Sequence, residues 1–170
     1  MTYAPLPRRL ATARLVLTPE VEADAPWLAT LFTERGGGTV STAEALERVR
    51  AMTETFGRTG IGALVLRTRD SGRPLGYAAI VVGRCTLDEP ELAYELLSAA
   101  HGQGYATEAA RAVLVAAHAT GRPRIWSTIR PTNAPSMRVA AKLGFREHHR
   151  TSDEAGEIVW HLHEPGAALP

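Results

Sequence analysis

The chain has 170 residues, 45% hydrophobic and 22% charged, which fits one compact globular domain over residues 1–170. Its formal net charge is +1 and the basic residues are spread along the sequence instead of clustered, so nothing in the sequence predicts the concentrated positive patch of a nucleic-acid-binding protein. The single cysteine, Cys85, excludes an internal disulfide framework and favours a reducing, cytoplasmic setting.

Neither a secretion signal nor a membrane span is predicted. The N-terminal stretch MTYAPLPRRLATARLVLTP contains arginines but no apolar run of the length that a signal peptide requires. Nowhere do about 18 consecutive apolar residues occur, the length that predicts a spanning helix. We therefore expect the partner to be a small molecule or another protein, and neither nucleic acid nor a membrane.

The first half of the sequence predicts one strand, two helices and a hairpin. In chain order these are a strand over residues 13–18, helices over 20–32 and 41–56, and hairpin strands over 62–69 and 75–83. Ser41 and Glu44 match the capping-box pattern, which marks the start of the second helix. The segment DSGRP between the two hairpin strands supplies the residues of a turn.

The second half alternates strands with helices and completes the predicted sheet. In chain order it contains a strand over residues 91–97, a helix over 104–121, a strand over 124–130, a helix over 135–145 and a last strand over 157–164. The whole order is β-α-α-β-β-β-α-β-α-β-β, in which a further strand without an assigned range lies between the last helix and residues 157–164, and it includes a hairpin and more strands than helices. It predicts an α+β fold in which a mixed central sheet of about seven strands is flanked by about four helices.

The segment HGQGYATEAARAV, residues 101–113, places two glycines directly before the longest predicted helix. A glycine turn between a strand and a helix exposes backbone N–H groups without a partner in the helix, at the positive end of the helix dipole. Side chains at Gly102 and Gly104 would hold a phosphate away from these groups. The spacing matches neither the lysine-bearing P-loop nor the three-glycine dinucleotide fingerprint. The residues alone therefore leave open both a phosphate site and an ordinary helix cap.

Further motifs extend this pattern over most of the chain. They are GYATEA at residues 104–109, the pair Asn133 and Ser136, LGF at residues 143–145, and the opening strand RLVLTP at residues 14–19. With these motifs the sequence resembles the GNAT superfamily of acetyl-CoA-dependent N-acetyltransferases, and within it the RimJ/RimL-like branch that includes ribosomal-protein N-terminal acetyltransferases. The resemblance implies the GNAT fold for the predicted sheet and helices.

The resemblance also implies acetyl-CoA as the co-substrate and no metal. In this family two neighbouring strands splay apart, so one of them would pair its free backbone groups with the pantetheine arm, while the glycine segment would wrap the pyrophosphate. The cofactor-binding residues implied in this way are Glu95, Leu96, Leu97, His101, Gly102, Gln103, Gly104, Tyr105, Ala106, Thr107, Asn133 and Ser136. His101 departs from the family, which favours arginine or glutamine at that position, or tryptophan in this branch.

The same resemblance gives Ser136 a catalytic role beside the departing thiolate of CoA. Many family members carry a tyrosine four residues before the GF pair, but this chain has Ala140 there. Ser136 lies one helical turn earlier on the same face, as in the RimJ/RimL-like branch, and is the candidate for protonating or hydrogen-bonding the thiolate. The alternatives are a polar residue that only helps to start the helix after Pro135 and, for Asn133, an Asx turn.

Glu91 is the candidate base that would take a proton from the amine. Successive strand side chains alternate, which places Glu91 and Glu95 on one face of the predicted strand and Tyr94 on the other. Glu91 also resembles the E-x-G-Y strand opening of the branch, with Ala93 in place of glycine. A solvated acidic turn is the alternative, as is a reaction without a base, because an α-amino group with a pKa of about 8 is already partly neutral.

These observations predict transfer of an acetyl group from acetyl-CoA to a primary amine, either a protein or peptide N-terminus or a small amine, through a direct ternary complex. By resemblance the acceptor lies between residues 33–39 and residues 151–157, and a homodimer is one implied assembly. The alternatives are a non-catalytic CoA-binding regulatory or interaction module of the same fold, and a nucleotide-binding protein. His161 and His163 share a strand face, but no acid or cysteine at ligand spacing accompanies them to predict a metal site.

Overall fold

The structure is a computed structural model that describes residues 3–166, which form one sheet of eight strands and four α-helices. The helices are Ala25–Glu34 (α1), Thr42–Thr59 (α2), Tyr105–Ala119 (α3) and Ala134–Lys142 (α4). The strands are Leu10–Ala11 (β1), Leu15–Pro19 (β2), Ala63–Thr68 (β3), Pro74–Val81 (β4), Glu91–Leu96 (β5), Ile125–Ile129 (β6), Arg146–Asp153 (β7) and Gly156–His163 (β8). Single-turn 3₁₀ helices occupy Glu22–Asp24 and Ser98–Ala100.

The strand order β1-β2-β3-β4-β5-β6-β8-β7 confirms the predicted mixed sheet. Neighbouring strands are antiparallel except for β5 and β6, which are parallel. The described residues contain one strand more than predicted, because the two-residue β1 is too short to leave a pattern. All eight residues of β7 are exposed, so that strand has no alternation of apolar and polar residues by which the sequence could locate it.

Local signals explain where the helices begin and end. The predicted capping box forms at the start of α2: Ser41 Oγ accepts a hydrogen bond from the Glu44 N–H at 3.2 Å, and Glu44 Oε2 accepts one from the Ser41 N–H at 2.8 Å. The same helix ends at Gly60, whose φ of 74° is the left-handed conformation that glycine adopts without strain. The first predicted helix instead begins with a 3₁₀ turn and becomes α-helical at Ala25.

Helices cover both faces of the sheet. Adjacent side chains of β4 point to opposite faces, and Ala78 packs with α3 residues such as Val113, whereas Tyr77 packs with α1 and α2 residues such as Leu31 and Val49. The larger core therefore lies under α3, and a second, smaller core lies under α1 and α2. No helix among residues 3–166 combines the length and apolar character needed to cross a membrane.

The sheet has one weak junction, between β5 and β6. β4 and β5 pair along six residues, from Gly76 opposite Leu96 to Val81 opposite Glu91. β5 and β6 pair only where Glu91 lies opposite Trp126. Beyond that point the two strands diverge, and the gap between them opens beside the first turn of α3.

Candidate active site

A cleft of about 610 Å³ occupies the gap where β5 and β6 diverge. Its walls come from the end of α1, the outer edge of β5, the segment leading into α3, and α4. The predicted site residues that line it are Glu95, Leu96, His101, Gly102, Gly104, Tyr105, Ala106, Thr107, Asn133 and Ser136. The predicted residues Glu91, Leu97 and Gln103 lie outside this lining.

The free edge of β5 faces the cleft. The Leu97 N–H donates to the Leu75 carbonyl of the neighbouring strand at 2.9 Å, and the alternation of an antiparallel ladder therefore turns the N–H and C=O groups of Tyr94 and Leu96 the other way. The Leu96 carbonyl accepts a hydrogen bond from His101 Nε2 at 2.8 Å, which agrees with this direction. The strand edge thus presents a row of peptide groups to whatever fills the cleft, and His101 occupies the last carbonyl of the row.

The start of α3 presents unpaired amides to the same cleft. Gly102 and Gly104 have φ values of 73° and 80°, and Gly104 is the N-cap without a side-chain capping bond. The first bond within the helix is from the Glu108 N–H to the Gly104 carbonyl at 3.1 Å, which leaves the N–H groups of residues 105–107 available. A side chain at Gly102 would meet no atom within 4 Å, so open space lies beside it. Amides, helix dipole and space together suit an anionic group.

Arg14 and Glu108 fix this loop from behind, a role that the sequence did not reveal. Arg14 Nε donates to Glu108 Oε2 at 2.7 Å, and Arg14 Nη1 donates to the Gln103 carbonyl at 3.0 Å. The guanidinium also lies 4.3 Å from the centre of the Tyr105 ring. Gln103 contributes its carbonyl to this scaffold, and its side chain bonds to the Ala99 carbonyl at 3.1 Å. The two charged residues are 94 positions apart, so no local pattern links them.

The start of α4 brings Ser136 and a tyrosine together. Asn133 Oδ1 accepts a hydrogen bond from the Ser136 N–H at 3.2 Å and caps the helix, while Ser136 itself is half-buried in the cleft wall. Tyr94, also in the wall, donates its hydroxyl proton to the Ser136 carbonyl at 3.0 Å. Burial raises the pKa of Tyr94 to about 12, so the hydroxyl stays protonated at neutral pH. The sequence assigned Tyr94 to the correct strand face but gave it no role in the site.

Glu91 lies at the point where β5 and β6 begin to diverge, outside the cleft lining. Its Oε1 accepts hydrogen bonds from the Thr128 N–H at 3.1 Å and from the Thr128 hydroxyl, and its Oε2 accepts one from the Arg84 N–H at 3.3 Å. The residue is 8% exposed. This buried carboxylate therefore ties the last paired point of β5 to β6 and to the turn after β4.

Glu95 is the acid of β5 that does line the cleft. Its Oε2 accepts a hydrogen bond from the Tyr77 hydroxyl at 3.1 Å, and its two oxygens accept from Nε and Nη2 of Arg35, the former at 3.0 Å. Burial raises the pKa of Tyr77, and the hydrogen bond to Glu95 raises the pKa of Arg35. Next to this group Glu34 accepts hydrogen bonds from the N–H and hydroxyl of Ser98, at 2.7 and 3.1 Å. The end of α1 is thus tied to the end of β5.

The predicted acceptor segments differ in their relation to the cleft. Glu34 and Arg35, from residues 33–39, line it, whereas residues 151–157 do not. Arg138 and Lys142 of α4 also line the cleft and give its far wall a positive charge. Within residues 3–166 no group of three or more histidine, cysteine, aspartate or glutamate side chains could hold a metal ion.

Comparisons with known proteins agree with this geometry. The family model for the acetyltransferase (GNAT) domain matches residues 14–146. An acetyltransferase from Agrobacterium tumefaciens is similar to the chain, with a TM-score of 0.77 and 25% identity over 95% of this chain and 96% of that one. Mycobacterium smegmatis RimJ, solved in complex with CoA-disulfide, has a TM-score of 0.76 and 20% identity over 89% of this chain and 82% of its own.

A third solved structure, yncA from Salmonella typhimurium with its cofactor acetyl-CoA, has a TM-score of 0.73 and 19% identity over 92% of this chain and 98% of its own. At the identities of RimJ and yncA the likeness shows the fold alone. Among curated proteins no match is found.

Proposed function

The chain belongs to the GNAT acetyltransferase family, and from that premise we propose that it transfers an acetyl group from acetyl-CoA to a primary amine in a direct ternary complex. One observation carries the proposal: the free edge of β5 and the unpaired amides of α3 meet in a single cleft. Such a cleft offers peptide groups to an amide-containing chain and a helix N-terminus to a phosphate, the two parts of CoA that lie side by side.

The residues present fit CoA. The N–H and C=O groups of Tyr94 and the N–H of Leu96 would pair with the amides of the pantetheine arm. The amides of residues 105–107 would donate to the pyrophosphate, with the Thr107 hydroxyl at the same turn. Arg138 and Lys142 would add positive charge toward the remaining phosphate.

Two hydroxyl groups are placed to assist the departure of the thiol. Bound acetyl-CoA supplies the acetyl group as a thioester, whose sulfur must gain a proton or a hydrogen bond when it leaves. Ser136 lines the cleft at the start of α4, and the Tyr94 hydroxyl lies beside it, protonated at neutral pH. We assign the role of donor to the sulfur to Ser136. Tyr94 donates its one proton to the Ser136 carbonyl, so it positions Ser136 and becomes a second donor only when that bond breaks.

The attacking amine can become nucleophilic in two ways. Glu91 remains the proposed base, and because Thr128 occupies one of its oxygens, it would act through the Thr128 hydroxyl or through water. Alternatively the amine binds neutral, which an α-amino group with a pKa of about 8 allows, and the proton that it loses after the attack passes through water to the departing thiolate. A Glu91→Gln variant separates the two: loss of kcat that is relieved at high pH supports the base, and an unchanged pH profile supports the neutral amine.

Acceptor-dependent thiol release tests the function itself. The protein is incubated with acetyl-CoA and a panel of amines that includes peptides with free N-termini, and the wild type is compared with Ser136→Ala. Thiol release that needs an acceptor and falls in Ser136→Ala supports the proposal. Tight CoA binding without acceptor-dependent release from any amine would instead identify a CoA-binding module, the alternative that the missing tyrosine at Ala140 raises. Affinity for ATP or NAD equal to that for CoA would point to a nucleotide-binding protein.

A further inference from the structure

The cleft reaches both faces of the sheet, and its two sides carry different chemistry. Tyr94 and Leu96 belong to the face under α3, where the proposed CoA groups lie. Glu95, between them in sequence, points to the opposite face, where it lies directly across from Tyr77 of β4 and beneath the end of α1. A second substrate can therefore approach from the α1 side without crossing the CoA side.

The Glu95 carboxylate on the α1 side is already paired with a cation, the guanidinium of Arg35. Arg35 places two guanidinium nitrogens on the two oxygens of Glu95, and Nη2 also donates to the Tyr77 hydroxyl at 3.3 Å. The Glu95 side chain is 23% exposed and the Arg35 side chain 49% exposed. The carboxylate is thus the recessed partner, and the arginine covers it from the solvent side.

The arginine is also the partner that can leave. It is followed by Gly36, Gly37 and Gly38, all with positive φ, and a side chain added at any of these would meet no atom within 4 Å. The backbone next to Arg35 is therefore uncrowded and free of side-chain contacts. A pair with one half-exposed partner is weak in water, so a competing cation need not overcome a strong bond.

We propose that Glu95 and Tyr77 form the recognition site for the cationic group of the acceptor, and that Arg35 is a resident competitor which the acceptor displaces. The inference rests on the proposed acetyl transfer and names its substrate class: acceptors that carry an alkylammonium group in addition to the reacting amine, which must itself be neutral to attack. Glu95 accepts hydrogen bonds from the ammonium, the Tyr77 hydroxyl holds the carboxylate in place, and the displaced guanidinium keeps its contact with the Phe32 ring, 5.0 Å away.

In steady-state kinetics, replacing Glu95 and replacing Arg35 should change KM in opposite directions. Glu95→Gln raises KM for a cationic acceptor by about tenfold or more, because a hydrogen bond between charged groups is lost. Arg35→Ala lowers KM by about twofold to fivefold, the range over which an exposed ion pair can compete. A purely structural ion pair would make both variants worse, and that result would overturn the proposal.

Two matched variants guard this comparison. Arg48 also stacks on the Phe32 ring, at 4.8 Å, so Arg48→Ala removes a similar contact while Glu95 stays paired, and KM should stay unchanged. Glu34 lines the same cleft, so Glu34→Gln removes one negative charge from it without touching Glu95. An increase in KM for Glu34→Gln equal to that for Glu95→Gln would assign the effect to the general potential of the cleft and refute a specific site.

A binding measurement decides the inference without turnover. n-Propylammonium chloride is titrated into Arg35→Ala and into Arg35→Ala/Glu95→Gln, with sodium chloride at equal ionic strength as the reference, and the thermal midpoint is followed. A saturable rise in the first variant that is absent in the second supports the site. Equal responses in both overturn it, and they do so whether or not acetyl transfer is found, so the two hypotheses fail separately.

Discussion

Glu20, directly after β2, is a buried acid whose replacement by glutamine tests how burial controls its protonation. The residue is 8% exposed, and burial, with a contribution from the nearby Asp24 charge, raises its pKa from 4.5 to about 7. The folded protein therefore holds this proton more tightly than the unfolded chain does. The stability that the proton confers is fully present below pH 4.5 and is lost as the pH rises to about 7.

The size of the effect follows from the two pKa values. They differ by about 2.5 pH units, which at about 1.36 kcal/mol per unit is about 3 kcal/mol of unfolding free energy, as an upper value. Glutamine keeps the shape of a protonated glutamate and does not ionise. The wild type loses stability as Glu20 ionises, whereas the glutamine variant does not. We therefore expect the unfolding free energy of Glu20→Gln, relative to that of the wild type, to increase by about 2 to 3 kcal/mol from pH 5 to pH 8.

Urea unfolding followed by tryptophan fluorescence, repeated from pH 5 to pH 8.5, measures this difference. Glu22→Gln serves as the control, since Glu22 has a side chain that is 63% exposed and a pKa lowered by its hydrogen bond to Arg50, so it stays ionised over this range. A Glu20→Gln variant whose stability runs parallel to that of the wild type at every pH would refute the assignment of a buried, protonated acid.

Three further predictions concern the cleft. Gly102→Ala, at a φ of 73°, should fold with a loss of about 1 to 2 kcal/mol and bind CoA more weakly by calorimetry, whereas Gly72→Ala, at a φ of 69° and equally uncrowded, should show a similar loss of stability with CoA affinity intact. Tyr94→Phe should lower kcat for thiol release by about tenfold or more while CoA affinity stays the same, and a reduced affinity with unchanged kcat would assign Tyr94 to binding instead. Arg14→Ala should weaken CoA binding severalfold, because the loop loses its contacts to Gln103 and Glu108, and undiminished affinity would mean that the loop needs no support.

The parts of the fold that depend on neighbouring residues were predictable from the sequence. Ser41 and Glu44 mark the start of α2, the turn between β3 and β4 lies where its residues indicate, and Gly102 and Gly104 precede α3 as expected. Each of these signals acts within one turn of chain, where spacing alone fixes which groups can meet. Strand β7 shows the limit, because an edge strand exposed along its whole length needs no apolar pattern.

The parts of the site that depend on long-range geometry were not predictable. Alternation correctly places Glu91 and Glu95 on one strand face, but which of them meets the cleft depends on the point where β6 leaves β5. The contact of Tyr94 with Ser136 joins residues 42 positions apart, and that of Arg14 with Glu108 joins residues even further apart. Such contacts follow from how the elements pack, which one sequence without structure does not contain.

The single paired position between β5 and β6 divides the sheet into two parts that are weakly joined. On one side of it lie five strands and on the other three, joined in the backbone at Glu91 and Trp126 and through the carboxylate of Glu91. A ligand whose amides pair with the free edge of β5 would add contacts at this weak junction and stabilise it. The stability of the sheet toward unfolding would then rise with substrate concentration. Any molecule that binds only while β5 and β6 keep this arrangement adds its binding free energy to the stability of the whole sheet.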